Sequence, residues 1–442
     1  SDGITEELLN LLAKIPELRV TSRSSAFSFK GQASDIRSVA QKLNVAHVLE
    51  GSVRKAGNRV RVTAQLIEAR SDVHMWSETY ERELDDVFAI QDDIAREVVT
   101  VLQIQLLGEV PLVAETDPEA YSLYLEGKHL FFNAEREDTR AAVDALRRAL
   151  AIDPDYAPAW AALGRVQRAR ANWGEIDLRE GTEEGRQAVL RALELDDTLA
   201  DAWAGLARIQ WVYDWDWDRA AGTVKTALMH GPNDAQALWT AATIAMTQGH
   251  LDAALDYGQR ALQVDPLDPF VLRSVALIHL QRDEFALSQQ VFEKLRELYP
   301  DREGSHINVA YLLVMQGRPE EALAVAAADS SELMRNLVGA MALHELKRYE
   351  EADRSLQYVI DHAADWLAYQ VAEIYAQRGE ADAAFEWLET AVALRDGGIT
   401  YLIVDQLLDS LHADPRWEAL LLKVGLLDAW RALQATGQGD AS

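Results

Sequence analysis

No cysteine occurs among the 442 residues of this chain, which excludes disulfides, thiolate nucleophiles and every cysteine-containing zinc site. The same lack leaves the compartment open between periplasm and cytoplasm. No stretch approaches 18 uninterrupted apolar residues, so no membrane span is expected. No basic segment with an apolar run behind it opens the chain. Positive charge is also scarce. With 43 Lys and Arg against 72 Asp and Glu the formal net charge is −29, and phosphate backbones need clustered cations, so nucleic acid is not an expected partner. Catalytic signatures are missing too: there is no Gly-rich phosphate loop with Lys, no His-Glu-x-x-His and no Gly-x-Ser-x-Gly. None of the ten histidines stands at metal-ligand spacing. Paired acids such as Asp92-Asp93 and Glu183-Glu184 fall on predicted exposed helix faces. The expectation is a non-enzyme without cofactor or metal.

What is present is enough apolar material, 49% of residues, to fold and enough charge, 26%, to stay dissolved. The length exceeds one hydrophobic core, so two domains or a repeat array are expected. Residues 1–107 hold 13 Lys/Arg against 16 Asp/Glu, a net of −3, and the remaining −26 lies beyond them. Ser1-Asp2-Gly3 leads straight into the amphipathic run Ile4 to Ile15, capped by Ser1 or Asp2, without an initiator Met. That start suggests a segment of a longer protein.

In residues 1–107 the patterns predict α-β-α-β-β-β-α. Arg19 to Ser22 has strand chemistry, and Ser34-Asp35 caps a helix from Ile36 to Leu43. Val45 to Lys55 and Val60 to Glu68 alternate around Gly57-Asn58 as a β-hairpin. Val73 to Arg82 is a further strand, and Asp85-Asp86 caps a helix running to about Leu107. Arg54, Lys55, Arg59 and Arg61 make the hairpin basic, read as a soluble charged edge with docking of an acidic partner as the alternative. His47 and His74 are isolated and read as packed or surface residues.

Four segments, Ser1-Asp2-Gly3-Ile4-Thr5-Glu6-Glu7-Leu8, Arg19-Val20-Thr21-Ser22-Arg23-Ser24-Ser25, Val48-Leu49-Glu50-Gly51-Ser52-Val53-Arg54 and Trp76-Ser77-Glu78-Thr79-Tyr80, resemble the TolB amino-terminal-like domain. In bacteria that domain often precedes tetratricopeptide repeats. The resemblance implies that a strand precedes the Asp-Gly-Ile segment; it is absent here, so the sheet should be one strand short or repaired by a neighbour. It also implies a context, since relatives carry this pair of domains behind a transmembrane helix that follows a winged-helix DNA-binding domain or a class III nucleotide cyclase domain.

The rest of the chain repeats. Pro232, Pro266 and Pro300 are 34 residues apart, Gly249, Asp283 and Gly317 keep the same step, and Asp153-Pro154 closes the first repeat alike. Small residues recur where helices must cross closely: Ala142, Ala220, Ala254, Ser288, Ala322, Ala352 and Ala384. Trp160-x-x-Leu163-Gly164 and Trp203-x-x-Leu206-Ala207 match the opening of the tetratricopeptide pattern, a bulky residue on helix A facing a small one on helix B. The expected fold class is mainly α, an α-α superhelix of tetratricopeptide type behind a small N-terminal α/β domain. The expected organisation is a domain at 1–107, a linker at 108–117, about eight repeats over 118–399, capping helices over 400–433 and a disordered tail at 434–442. The repeats start near 120, 157, 200, 235, 269, 303, 333 and 365; the second carries extra residues around Asn172 to Gly181 and the sixth is short near Ala328. The caps are read as helices Tyr401–Leu411 and Arg416–Leu426.

In such an array the second, fifth, ninth and twelfth positions of helix A face inward. Here they are Arg165, Arg168, Asp201, Arg208, Trp211, Gln236, Trp239, Thr243, Met246, Phe270, Arg273, Tyr311, Met341, Tyr369 and Glu373. Aromatic rings, arginines and amides suit an extended peptide or a helix. Each has a plain alternative: Trp211 and Trp239 as packing between repeats, Arg165, Arg208 and Arg273 as solvated or ion-paired side chains. The turn Tyr213-Asp214-Trp215-Asp216-Trp217-Asp218 reads as tryptophans stapling one repeat to the next while aspartates cap helix B. The Lys and Asn clamp that some tetratricopeptide proteins use on a terminal carboxylate is not seen. A protein or peptide partner is therefore expected, with self-association through an open sheet edge and small-molecule sensing by a tryptophan-lined interior as the alternatives.

Overall fold

The computed structural model describes residues 18–29, 35–57, 59–83, 87–101, 116–133, 139–172, 175–300 and 305–435, with Thr5, Leu8, Leu9, Leu12 and Ile15 before them. The expected cap at Ser1 or Asp2 and most of the first helix, Ser34, Asp85-Asp86, most of the linker and residues 436–442 lie outside the described residues. Two compact units divide the chain. One is Ser1–Ile209, Arg219–Thr240 and Arg260–Asp268; the other is Gln210–Asp218, Ala241–Gln259 and Pro269–Ser442.

The first unit opens with helices α1 (Arg23–Phe27) and α2 (Ile36–Leu43), then strands β1 (His47–Ala56), β2 (Arg59–Glu68) and β3 (Val73–Glu83), then α3 (Val87–Val101). The strands form an antiparallel sheet in the order β1-β2-β3. Alternation along β2 turns Val60, Val62, Ala64 and Leu66 inward. Val60, Val62 and Ala64 pack with Tyr80 against Ile90, Ile94 and Val98 of α3 and against Leu8, Leu12 and Ile15. The basic hairpin is a charged strand surface, with Arg61 donating to Glu81 across the sheet at 3.0 Å.

Arg19 to Ser22 is not a strand. Ser22 caps α1, its Oγ accepting the N–H of Ser25, and its own N–H donates to the carbonyl of Val264 at 2.8 Å. A Ser side chain that satisfies an orphan helix donor competes with sheet pairing, so three strands are found among the described residues instead of four. The junction continues through Ser25, whose Oγ donates to Asp265 at 2.6 Å and accepts the N–H of Leu267 at 2.9 Å. Burial, then the neighbouring Asp268, pushes the Asp265 carboxyl up to about 7.

Eight helical hairpins follow among the described residues. They are α4 (Pro118–Asn133) with α5 (Thr139–Ile152), α6 (Ala157–Asn172) with α7 (Leu178–Leu195), α8 (Ala200–Ile209) with α9 (Trp217–His230), and α10 (Ala235–Thr247) with α11 (Leu251–Val264). Then come α12 (Pro269–Leu280) with α13 (Phe285–Leu298), α14 (Ser305–Met315) with α15 (Pro319–Ala326), α16 (Glu332–Glu345) with α17 (Tyr349–Ala363), and α18 (Ala368–Gln377) with α19 (Ala381–Leu394). The fold is mainly α, a solenoid of helical hairpins of tetratricopeptide type with a small sheet at its amino-terminal end. The recurring small residues explain the pairing, because Ala142, Ala220, Ala254, Ser288, Ala322, Ala352 and Ala384 are all completely buried. The recurring turn positions are equally physical. Gly249, Asp283 and Gly317 have φ of 75°, 59° and 66°, the left-handed conformation that ends helix A and that Gly and Asp tolerate best.

Two irregularities interrupt the pattern. Helix α8 ends in a π turn, Gln210–Asp214, and Trp215 takes φ 57°. Beyond α19 the expected helix Tyr401–Leu411 is replaced by two 3₁₀ turns, Gly397–Tyr401 and Gln406–Leu411, followed by α20 (Pro415–Val424) and α21 (Leu427–Ala435). The break falls at Asp405, whose carboxylate accepts the N–H of Leu407 at 3.0 Å, a local turn that competes with the helix. Helix α21 carries order through Gln434 and Ala435, past the expected start of the tail.

Candidate functional site

In the first unit five of the inward residues meet in one cleft: Arg165 and Arg168 from α6, Asp201 and Arg208 from α8, and Gln236 from α10. Ala161, Gly164, Val189, Ala204, Gly205 and Ile209 complete its lining. Spacing along each helix puts these side chains on one face: 165 and 168 are three apart, 201 and 208 two turns apart. Gly164 permits the close crossing of α6 and α7, since a Cβ there would sit 2.5 Å from Cγ2 of Val189. Trp239 flanks the cleft, its ring centroid 4.0 Å from the guanidinium carbon of Arg208.

Arg165 and Asp201 form an ion pair, and both side chains keep solvent contact, at 36% and 42% exposure. Solvent therefore screens the pair. Burial opposes ionisation of Asp201, yet Arg165, helped by Lys128 and Arg168, outweighs it and holds the carboxyl below the usual range. Burial, then repulsion from Arg165, pulls Arg168 down to about 10. Asp234, at the start of α10, accepts the N–H of Ala237 at 2.7 Å; burial and Asp201 push its carboxyl up to about 6.

The second unit treats its inward row differently. Tyr369 is completely buried, and its hydroxyl donates to Asp405 at 2.9 Å. Glu373, also buried, is hydrogen-bonded to Asp405 and to the half-buried Tyr311. Burial first, then Asp405, drives the Glu373 carboxyl well above its ordinary range, and burial raises Asp405 as well. Two adjacent carboxyls that cannot both ionise share a proton. Asp396 accepts the N–H groups of Tyr369 and Gly398 at 3.0 and 2.8 Å, and Gln406 donates to Asp283 at 2.8 Å. Tyr369 and Glu373 therefore lie beneath the chain's own residues 396–411 and offer no surface to a partner, while Tyr311 beside them is half-buried.

Trp211 and Thr243, read as groove residues, are also internal. Trp211 is buried and its Nε1 donates to Thr247 at 2.9 Å, while the carbonyl of Thr243 accepts from the same hydroxyl at 3.1 Å. Phe270 stays 49% exposed. Arg273 is exposed and donates to Asn308 at 3.3 Å. The Asp-Trp turn also reaches residues far along the chain. Arg395 stacks on Trp215, 4.2 Å from its ring centroid, and donates to the carbonyl of Tyr213, while Trp217 Nε1 donates to the carbonyl of Val424 at 2.8 Å. Sequence reasoning missed Asp405 and Gly398. Gly398 lies flat on Tyr369, where a Cβ would come within 2.3 Å of the ring.

Comparison with known proteins places the tetratricopeptide repeat family model on residues 215–269. A protein of Rhizobium meliloti (strain 1021) named "Putative adenylate cyclase 3" is 39% identical over 170 residues, 38% of this chain and 29% of that protein. The chain thus spans less than a third of that relative. Among solved structures, a tetratricopeptide repeat protein of Parabacteroides merdae is 15% identical, with 62% of this chain and all of that one covered at a TM-score of 0.42. PilF of Pseudomonas aeruginosa is 21% identical, with 48% and 97% covered at a TM-score of 0.36. Among the described residues no helix is long and apolar enough to cross a membrane.

Proposed function

We propose that this chain is a non-catalytic protein-binding module that receives an extended segment of a partner on the inward row of its first unit. The observation carrying the reading comes from the second unit. There the equivalent helix face holds an irregular segment, residues 396–411, through buried tyrosine, carboxyl and main-chain contacts. A face that accommodates irregular chain in one half of an array is suited to do so in the other, where, among the described residues, the cleft is lined by the array. Trp239, Arg208, Arg168, Arg165 and Gln236 are the contact residues.

The similarity to a protein named as an adenylate cyclase favours a place within a larger bacterial signalling or regulatory protein, and the resemblance to the TolB amino-terminal-like domain points the same way. The test is a peptide array probed with the full chain. Binding should fall in the Trp239→Ala and Arg208→Ala variants and persist in Met75→Ser, on the exposed surface of β3. The opposite pattern would move the binding surface to the sheet.

A further inference from the structure

Within the first unit, and among the described residues, two buried polar joints tie the sheet region to the array, and they differ in kind. One joins two uncharged side chains: Gln91 of α3 donates to the hydroxyl of Tyr121 in α4 at 2.8 Å. The other centres on a carboxyl. Ser25 Oγ donates to Asp265 at 2.6 Å and accepts the N–H of Leu267 at 2.9 Å, while the N–H of Ser22 donates to the carbonyl of Val264 at 2.8 Å. The Ser22 hydroxyl is hydrogen-bonded to Asp265 as well.

Asp265 and Asp268 stand in one turn at 2% and 6% exposure, and among the described residues no cation pairs with Asp265. Arg19, on the amino-terminal segment, donates to Gln263 and to the carbonyl of Asn44; Arg260 of α11 donates to the carbonyl of Pro232. The hydroxyl and N–H donors around Asp265 favour its charged form, but burial and the neighbouring Asp268 outweigh them. Docked, the joint prefers a proton on Asp265; undocked, water solvates the carboxylate. We propose that this contact is a proton-gated latch: acid docks residues 18–29 on the turn 264–268, and a rise towards neutral pH lets them go while Gln91 and Tyr121 keep the sheet region tethered. The sign follows from linkage. Docking takes up a proton between the ordinary carboxylate range and about 7, so each pH unit within that window weakens it by up to about ten-fold, and above the window both forms are ionised and nothing further is lost.

The test is amide hydrogen exchange on the full chain from about pH 5 to about pH 8, read at the N–H groups of Ser22 and Leu267 and corrected for the intrinsic pH dependence of exchange. Their protection should fall about a hundred-fold between pH 5 and pH 7 and level off above it, while amides of β2 and α4 keep theirs. Asp265→Asn still offers Ser25 an acceptor but has no proton to lose, so it should hold the latch closed and flatten the profile. Ser25→Ala should lower the protection of both amides at every pH and leave β2 unchanged. Level protection across the range in the wild type would overturn the proposal. So would a fall of β2 in step with the latch, which marks unfolding of the sheet region instead of unlatching, and so would a fall that survives in Asp265→Asn.

Discussion

The inward row of the first unit is arginine, amide and one carboxylate around a cleft that solvent enters, whereas the inward row of the second is tyrosine and glutamate sealed under residues 396–411. One architecture therefore supports two uses of the same helix face, and side-chain chemistry decides between them. Arginines remain charged when half buried and keep a cleft polar. A buried Glu373 beside Asp405 gives up its charge and becomes part of a core. Changes in the second row should read out as stability, and changes in the first as binding.

The largest effect that would break this contrast is expected at Trp417, completely buried in α20 and in ring contact with His412 and Trp430. Trp417→Ala should cost about 3–5 kcal/mol in urea denaturation. Next comes Tyr369→Phe, which strips Asp405 of a buried donor and should cost about 1–3 kcal/mol. The proton shared by Glu373 and Asp405 adds a pH signature. Their carboxyls are raised in the fold, so that contribution is fully present below the ordinary carboxylate range and is lost as pH climbs through the raised values. Wild type should lose more stability with rising pH than Asp405→Asn does.

A second pH effect belongs to the first unit. With Asp265 pushed up to about 7, stability present below about pH 4 should fall away as pH rises through 7, and the slope should shrink in Asp265→Asn. The smallest effect is Arg165→Gln, which breaks a solvent-screened pair and should shift stability by less than about 1 kcal/mol. A loss as large as that of Trp417→Ala would show that the cleft is structural and erase the contrast.

Much of the array was legible because its determinants are local. Prolines and left-handed turn residues at a 34-residue step, and small residues that end up fully buried, act within one hairpin or between neighbours. The arginines of the cleft were found by the same spacing. The fate of Tyr369 and Glu373 was not legible, because their cover is a segment whose apolar pattern imitates a helix and whose course is held by bonds such as Gln406 to Asp283, 123 residues apart. The missing strand failed for a related reason. Arg19 to Ser22 has strand-like residues, but Ser22 is held by a helix cap and by Val264, partners that no local pattern announces.

That junction alters how the amino-terminal half can come apart. A solenoid with neighbour-only contacts frays from its ends, one repeat at a time. Here Ser25 grips Asp265 across 240 residues of chain, so peeling the sheet and first hairpins away also means letting go of the turn after α11. Closing so long a loop is entropically slow. The amino-terminal end should therefore be the last part to lock during folding and, once locked, should open as one block.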